Sequence, residues 1–147
     1  TFLSNCIAKE LLDSGHSVIY FTAFQLFDIL SKGVFEKDAD AIATHQNIFD
    51  CDLLIIDDLG AERSTDFALE KVYDIVDSRY RAKLPIILTT NLSMTEMKES
   101  ADIRYTRIYD RIFEMCYPMQ FTGRSWRKAE AARRFDEMKN FLEGNDG

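Results

Sequence analysis

The sequence predicts an α/β fold, a parallel β-sheet flanked by helices. Three observations predict it. "HSVIYFT", "DLLIID" and "LPIILTTN" are short segments that are apolar almost throughout, the pattern of strands covered on both faces. Stretches with helical spacing separate them, the alternation that builds a parallel sheet. Two of the three end in polar residues, Asp57 and Asp58 in one and Asn91 in the other, and open α/β sheets gather their chemistry at the carboxyl ends of strands.

The elements follow in order. "FLSNCIAKELLDSG" sets Phe2, Leu3, Cys6, Ile7 and Leu11 at helical spacing, with Gly15 as a C-terminal stop. After the strand "HSVIYFT", "AFQLFDILSKG" reads as a helix closed by Gly33. Residues 34–47 are polar and read as a loop with a short helix. "DLLIID" is the second strand, and Thr65 to Ala82 is a long amphipathic helix with Phe67, Leu69, Val72, Tyr73, Ile75, Val76 and Tyr80 on its apolar side. Helices over 94–100 and 103–115 come after the third strand, then a strand-like piece, "YPMQFTG". A charged helix over 125–142 closes the chain, with Ser125 as N-cap and Trp126 as an anchor.

A chain of 147 residues is one domain with room for a core. A formal charge of −7 excludes a surface basic all over, but not a local basic stripe. No apolar run approaches the ~20 residues of a membrane helix, and the first residues lack the pattern of a secretory signal. Cys6, Cys51 and Cys116 have no metal-binding spacing. Three reduced thiols fit a cytoplasmic protein.

Four polar positions carry chemistry. The run "DLLIIDDLGAE" drives a greasy strand into two adjacent carboxylates, which repel each other unless something compensates them. A Walker B element accounts for this, with Asp57 holding Mg²⁺ beside nucleotide phosphates and Asp58 acting as general base on the attacking water. The bland reading is a strand ending in solvated acids. Thr1 opens a helix, as does the Ser/Thr that ends a GxxxxGK[ST] phosphate loop. A plain helix N-cap is the competing reading. Asn91 suits a polar sensor of the lytic water or γ-phosphate, or else an ordinary turn or cap, a task for which Ser93 competes.

Among the arginines, Arg107 and Arg111 stand at i and i+4 on one helix face, suited to stabilising phosphate charge on a neighbouring subunit. Intrahelical pairs Arg107–Asp110 and Arg111–Glu114 are the alternative. Arg104 reads as a surface residue. Arg127, at the start of the last helix, is placed to reach a nucleotide phosphate. The arginines of the C-terminal third are the one hint of a stripe for nucleic acid.

Taken in order, "TFLSNCIAKELL", "LLIIDDLGAE", "LPIILTTNLS", "RIYDRIFE" and "GRSWR" resemble the AAA+ ATPases of the DnaC/DnaI helicase-loader group, within the IstB/DnaC-like ATP-binding family. The resemblance covers nearly the whole chain and implies a P-loop NTPase core. It matches Thr1 to the last residue of Walker A, Asp57 and Asp58 to Walker B, and Asn91 to sensor 1. Arg111 matches the arginine finger, with Arg107 one turn earlier, and Arg127 matches sensor 2.

The resemblance also implies ATP and Mg²⁺ as cofactors, with Thr1 and Asp57 on the metal. Implied partners are a DnaB-type replicative helicase, single-stranded DNA, and further copies of the chain in a nucleotide-controlled assembly. The sequence departs from the pattern by lacking the first strand and the glycine-lysine loop, so this chain alone is expected to be inactive. It also lacks the family's N-terminal helicase-binding segment and has Asp58 where many AAA+ proteins have Glu. An IstB-type transposition helper ATPase shares nearly all these motifs. A nucleotide-free interaction module is a further alternative.

Overall fold

The computed structural model describes residues 1–35, 39–60, 66–123 and 126–143. They form two compact units, Thr1–Tyr117 and a second from Pro118 onwards. In the first, three parallel strands, β1 (Val18–Thr22), β2 (Leu53–Asp57) and β3 (Ile86–Leu88), pair in the order β1-β2-β3. Strand β2 lies in the middle and is buried at every residue, whereas β1 and β3 are half-buried.

Side chains of a strand alternate between faces, and the alternation sorts the core. On one face Leu54 and Ile56 pack with α2 (Ala23–Phe35), α3 (Ala39–Asp50), α4 (Asp66–Ala82) and α6 (Ile103–Met115). On the other, Leu53, Ile55, Val18, Tyr20 and Ile87 meet Ala8 and Leu11 of α1 (Phe2–Asp13). Asp57 has the parity of Leu53 and Ile55 and so belongs to the α1 face.

Helix α1 stops where the sequence predicts. Gly15 takes the left-handed backbone (φ 86°) that glycine adopts without a Cβ clash. His16 N then donates to Leu11 O at 3.0 Å, satisfying a carbonyl of the last turn. Gly33 does not stop α2, which runs on to Phe35. The polar segment read as mostly loop holds α3, a full helix whose Ile48 is completely buried. Short α5 (Met94–Lys98) precedes α6.

The second unit contains α7 (Trp126–Glu143). The segment "YPMQFT" that precedes it is not a strand. Its Tyr117, Met119 and Phe121 are exposed, and alternation of apolar residues makes a strand only when a neighbouring strand takes up its backbone groups. Trp126, expected as an anchor, is 82% exposed. The expected cap Ser125 and the expected helix start Thr65 lie outside the described residues.

One buried charge ties the first unit together. Arg79 of α4 is fully buried, and its guanidinium donates to Ile48 O (2.9 Å), Cys51 O (3.0 Å) and Pro85 O (2.7 Å). It also touches Cys51 Sγ at 3.4 Å. The entries of β2 and β3 are thereby fastened to one side chain. Arg79→Ala removes a donor from each of these three carbonyls and is expected to lower stability by about 3 kcal/mol. Urea unfolding that shows a loss below about 1 kcal/mol would exclude the fastening role.

Candidate functional site

The site begins where β2 leaves the sheet. Asp57 is only 6% exposed, and a carboxylate in that position demands donors. Three hydroxyls supply them from three elements. Thr1 Oγ1 donates to Asp57, 3.0 Å from Oδ1 and 3.1 Å from Oδ2. Thr89 Oγ1, just past β3, donates to Oδ1 at 2.6 Å. The Tyr20 hydroxyl of β1 is the third. Parity explains the meeting, because Tyr20 and Asp57 face α1 and Ile87, two residues before Thr89, does too.

Burial on its own raises the Asp57 carboxyl. The hydrogen bonds from Thr89, Tyr20 and Thr1 outweigh it and hold the group below the ordinary carboxylate range. Tyr20 moves the opposite way, pushed up to about 12 by its own burial and then by the hydrogen bond and negative charge of Asp57.

Thr1 has two places to bond, its own helix and Asp57. It occupies the N-cap position of α1, yet its side chain makes no capping bond. Its hydroxyl turns to Asp57 instead. The same competition at Asn91 resolves likewise. Ser93 takes the cap of α5, accepting from Glu96 N at 3.2 Å while Glu96 returns a bond to Ser93 N at 2.7 Å, a complete capping box. Asn91 Nδ2 is left to donate to Asp58 Oδ1 at 2.8 Å.

Asp58 is exposed and has left-handed backbone, φ 62°. Its amide donates to Thr89 Oγ1 at 2.9 Å. Two residues on, Gly60 (φ 94°) has no room for a Cβ, which would stand 2.5 Å from Leu92 Cδ1. The turn after β2 thus packs directly on the turn after β3. Leu59 N to Thr89 O (2.8 Å) and Thr90 Oγ1 to Leu59 O (2.6 Å) close the join.

Arg104, Arg107 and Arg111 stand on α6 where it meets α4. Arg111 donates to Asp77 of α4 at 2.9 Å and to Glu114 at 2.6 Å, and it stacks on Tyr80 at 4.5 Å. Hydrogen bonds to Tyr73 and Glu114 raise its pKa further above the ordinary arginine value. The intrahelical pair with Glu114 therefore exists alongside the interhelical one. Arg107 is exposed and lies over the Tyr73 ring at 4.5 Å. Arg104 is paired with Asp66 and Asp102, as a surface residue should be. The side chain of Arg127 lies outside the described residues.

The comparisons bear on this arrangement. The model of the family described as IstB-like ATP binding protein matches residues 1–134. The chain belongs to that family. It is 32% identical over 122 residues to the phage-like element PBSX protein XkdC of Bacillus subtilis (strain 168), covering 79% of this chain. It is 25% identical over 141 residues to the replicative helicase loader DnaI of the same organism, covering 86%. The chain spans 43% of the length of each of these two relatives. The crystal structure of DnaI superposes with a TM-score of 0.65 at 26% identity, over 79% of this chain and 63% of that one. The fold is that of the AAA+ P-loop NTPases.

An IstB-like ATP-binding chain needs residues suited to a nucleotide and its cation. Among the described residues no group of three His, Cys, Asp or Glu could cage a metal. Thr1 and Asp57 instead offer two adjacent hard oxygen donors. That set fits Mg²⁺, which takes one or two protein ligands and fills the rest of its octahedron with phosphate oxygens and waters.

Thr89 and Tyr20 are the residues that sequence reasoning missed. The available signal was parity: Tyr20, which pairs with Ile55, and Thr89, just beyond β3, fall on the same side as Asp57. A carboxyl held low in the fold stabilises the protein above the ordinary value and loses that contribution as pH falls through the lowered one. In an NMR titration the Asp57 carboxyl is expected to have its midpoint below 3.8, the ordinary value. A midpoint at or above that value would mean the three hydroxyls do not hold it.

Proposed function

We propose that this IstB-like chain carries the catalytic half of an ATP-hydrolysing site and serves in loading a DnaB-type replicative helicase onto single-stranded DNA. The observation that carries the first part is the Thr1 hydroxyl, turned from its own helix to Asp57 at the end of the central strand. In this reading Thr1 and Asp57 hold Mg²⁺, which supplies charge neutralisation at the phosphates when bound. Asp58 accepts the proton of the attacking water, and Asn91, bonded to Asp58, orients that water. Arg127 engages a phosphate. The phosphate loop itself falls outside these residues, so the chain on its own is proposed to bind ATP weakly.

Arg111, with Arg107 one turn before it, is proposed to complete the site of a neighbouring subunit. Asp77, Glu114 and Tyr80 hold Arg111 in a fixed direction, and a pre-oriented guanidinium gives up less freedom when it meets a phosphate. The helicase-loading part leans on similarity to DnaI, a replicative helicase loader. No described helix is long and apolar enough to cross a membrane, and a cytoplasmic site of action is part of the proposal. The IstB-like family match favours a second reading, an ATPase that assists transposition. Co-purification with a replicative helicase rather than a transposase discriminates between them.

The test is ATP turnover by the full-length protein with single-stranded DNA and helicase. Arg111→Ala is expected to abolish stimulated turnover and leave nucleotide binding intact. Asp58→Asn is expected to lower the rate by roughly 100-fold, the scale of a lost general base. Unchanged turnover in both variants would remove the proposed roles.

A further inference from the structure

The residue that follows β3 reaches beyond Asp57. Thr89 Oγ1 is the one hydroxyl among the described residues with hydrogen bonds to both acidic residues of the site. It donates to Asp57 Oδ1 at 2.6 Å and accepts from the Asp58 amide at 2.9 Å. A hydroxyl has a single proton. Here that proton goes to the buried carboxylate, and a lone pair takes the amide. The result is a directed chain from the Asp58 amide through Thr89 to Asp57, in which each bond polarises the next.

We propose that Thr89 is a positioning residue that sets both acids at once, holding Asp57 in the orientation that receives Mg²⁺ and Asp58 in the backbone conformation that directs it to Asn91. This rests on the reading of Asp57 and Asp58 given above and deepens it. Thr89 is well placed for the task, since its own backbone is fixed twice. Its amide donates to Ile56 O at 3.0 Å and its carbonyl accepts from Leu59 N at 2.8 Å. The hydroxyl therefore extends from a backbone clamped on both sides of the acidic pair.

The neighbouring donors do not duplicate it. Tyr20 and Thr1 bond to Asp57 alone among the two acids. The Thr90 hydroxyl is committed to Leu59 O and Leu92 N. Asn91 reaches Asp58 by its side chain and leaves the left-handed backbone (φ 62°) without support. That conformation is uncommon for a residue with a Cβ and persists where surrounding bonds fix it. The Thr89 hydroxyl holds the Asp58 amide itself, while Leu59 N to Thr89 O holds the peptide that follows.

Two variants of the full-length protein test this. Thr89→Val keeps the shape and branching and removes the hydroxyl; Thr89→Ser keeps the hydroxyl. In Thr89→Val the Mg²⁺ concentration for half-maximal ATP turnover is expected to rise about 10-fold or more, the scale seen when a partner of a metal ligand is lost. ATP binding measured in EDTA is expected to stay within about 2-fold, and Thr89→Ser to restore the Mg²⁺ dependence.

Hydrogen exchange of the Asp58 amide in nucleotide-free protein gives a readout independent of turnover. It is expected to speed up in Thr89→Val and to stay slow in Thr89→Ser. Wild-type Mg²⁺ dependence in Thr89→Val, equal damage in both variants, or unaltered Asp58 exchange would each overturn the proposal. If the wild type shows no Mg²⁺-dependent turnover, the functional reading fails instead. The exchange result then decides by itself whether Thr89 sets the two acids.

Discussion

A carboxylate buried at the tip of an apolar strand constrains everything around it. Asp57 ends five consecutive buried residues, and an ion in such a place is tolerated only if donors replace the water it has lost. Hydroxyls from three elements supply such donors, and the carboxylate they surround is held below its ordinary range.

The placement of those hydroxyls follows from one geometric fact. Asp57 lies on the face of the sheet that α1 covers, so only elements on that face reach it. The first residue of the chain sits at the mouth of α1, Tyr20 points up from β1, and Thr89 follows β3 on the same side. The opposite face is given over to the main core beneath α2, α4 and α6. Arg107 and Arg111, on α6, meet α4 instead, Arg107 over Tyr73 and Arg111 against Asp77 and Tyr80.

Much of this was legible in the residues. The strands showed as apolar runs, and Asp57, Asp58 and Asn91 as polar ends of those runs. What the sequence left open was competition among equivalent local bonds. Thr1 also read as an N-cap, Asn91 as a cap or turn, and Arg111 as an intrahelical partner of Glu114. Tertiary placement settled the first two: Asp57 is close enough to claim Thr1, and Ser93 with Glu96 makes a better cap than Asn91. For Arg111 the intrahelical pair with Glu114 forms, and Asp77 of α4 shares the guanidinium. Thr89 and Tyr20 stayed hidden because strand order and register do not show in a sequence, and these bring both to the face and end of the sheet where Asp57 lies. The helix read as short within residues 34–47 is longer, α3 running over Ala39–Asp50 with its buried Ile48 beyond that segment. "YPMQFTG" failed in the other direction, its alternation being real but unpaired.

The central claim is that the acid at the tip of β2 holds a divalent cation next to a triphosphate. Anomalous scattering from Mn²⁺ in crystals of the full-length protein grown with a non-hydrolysable ATP analogue tests it most directly. The account predicts a single strong peak at coordination distance, about 2.1–2.3 Å, from the Thr1 hydroxyl and Asp57, directly or through one water. A nucleotide bound with no manganese beside Asp57, or manganese bound elsewhere, would contradict it.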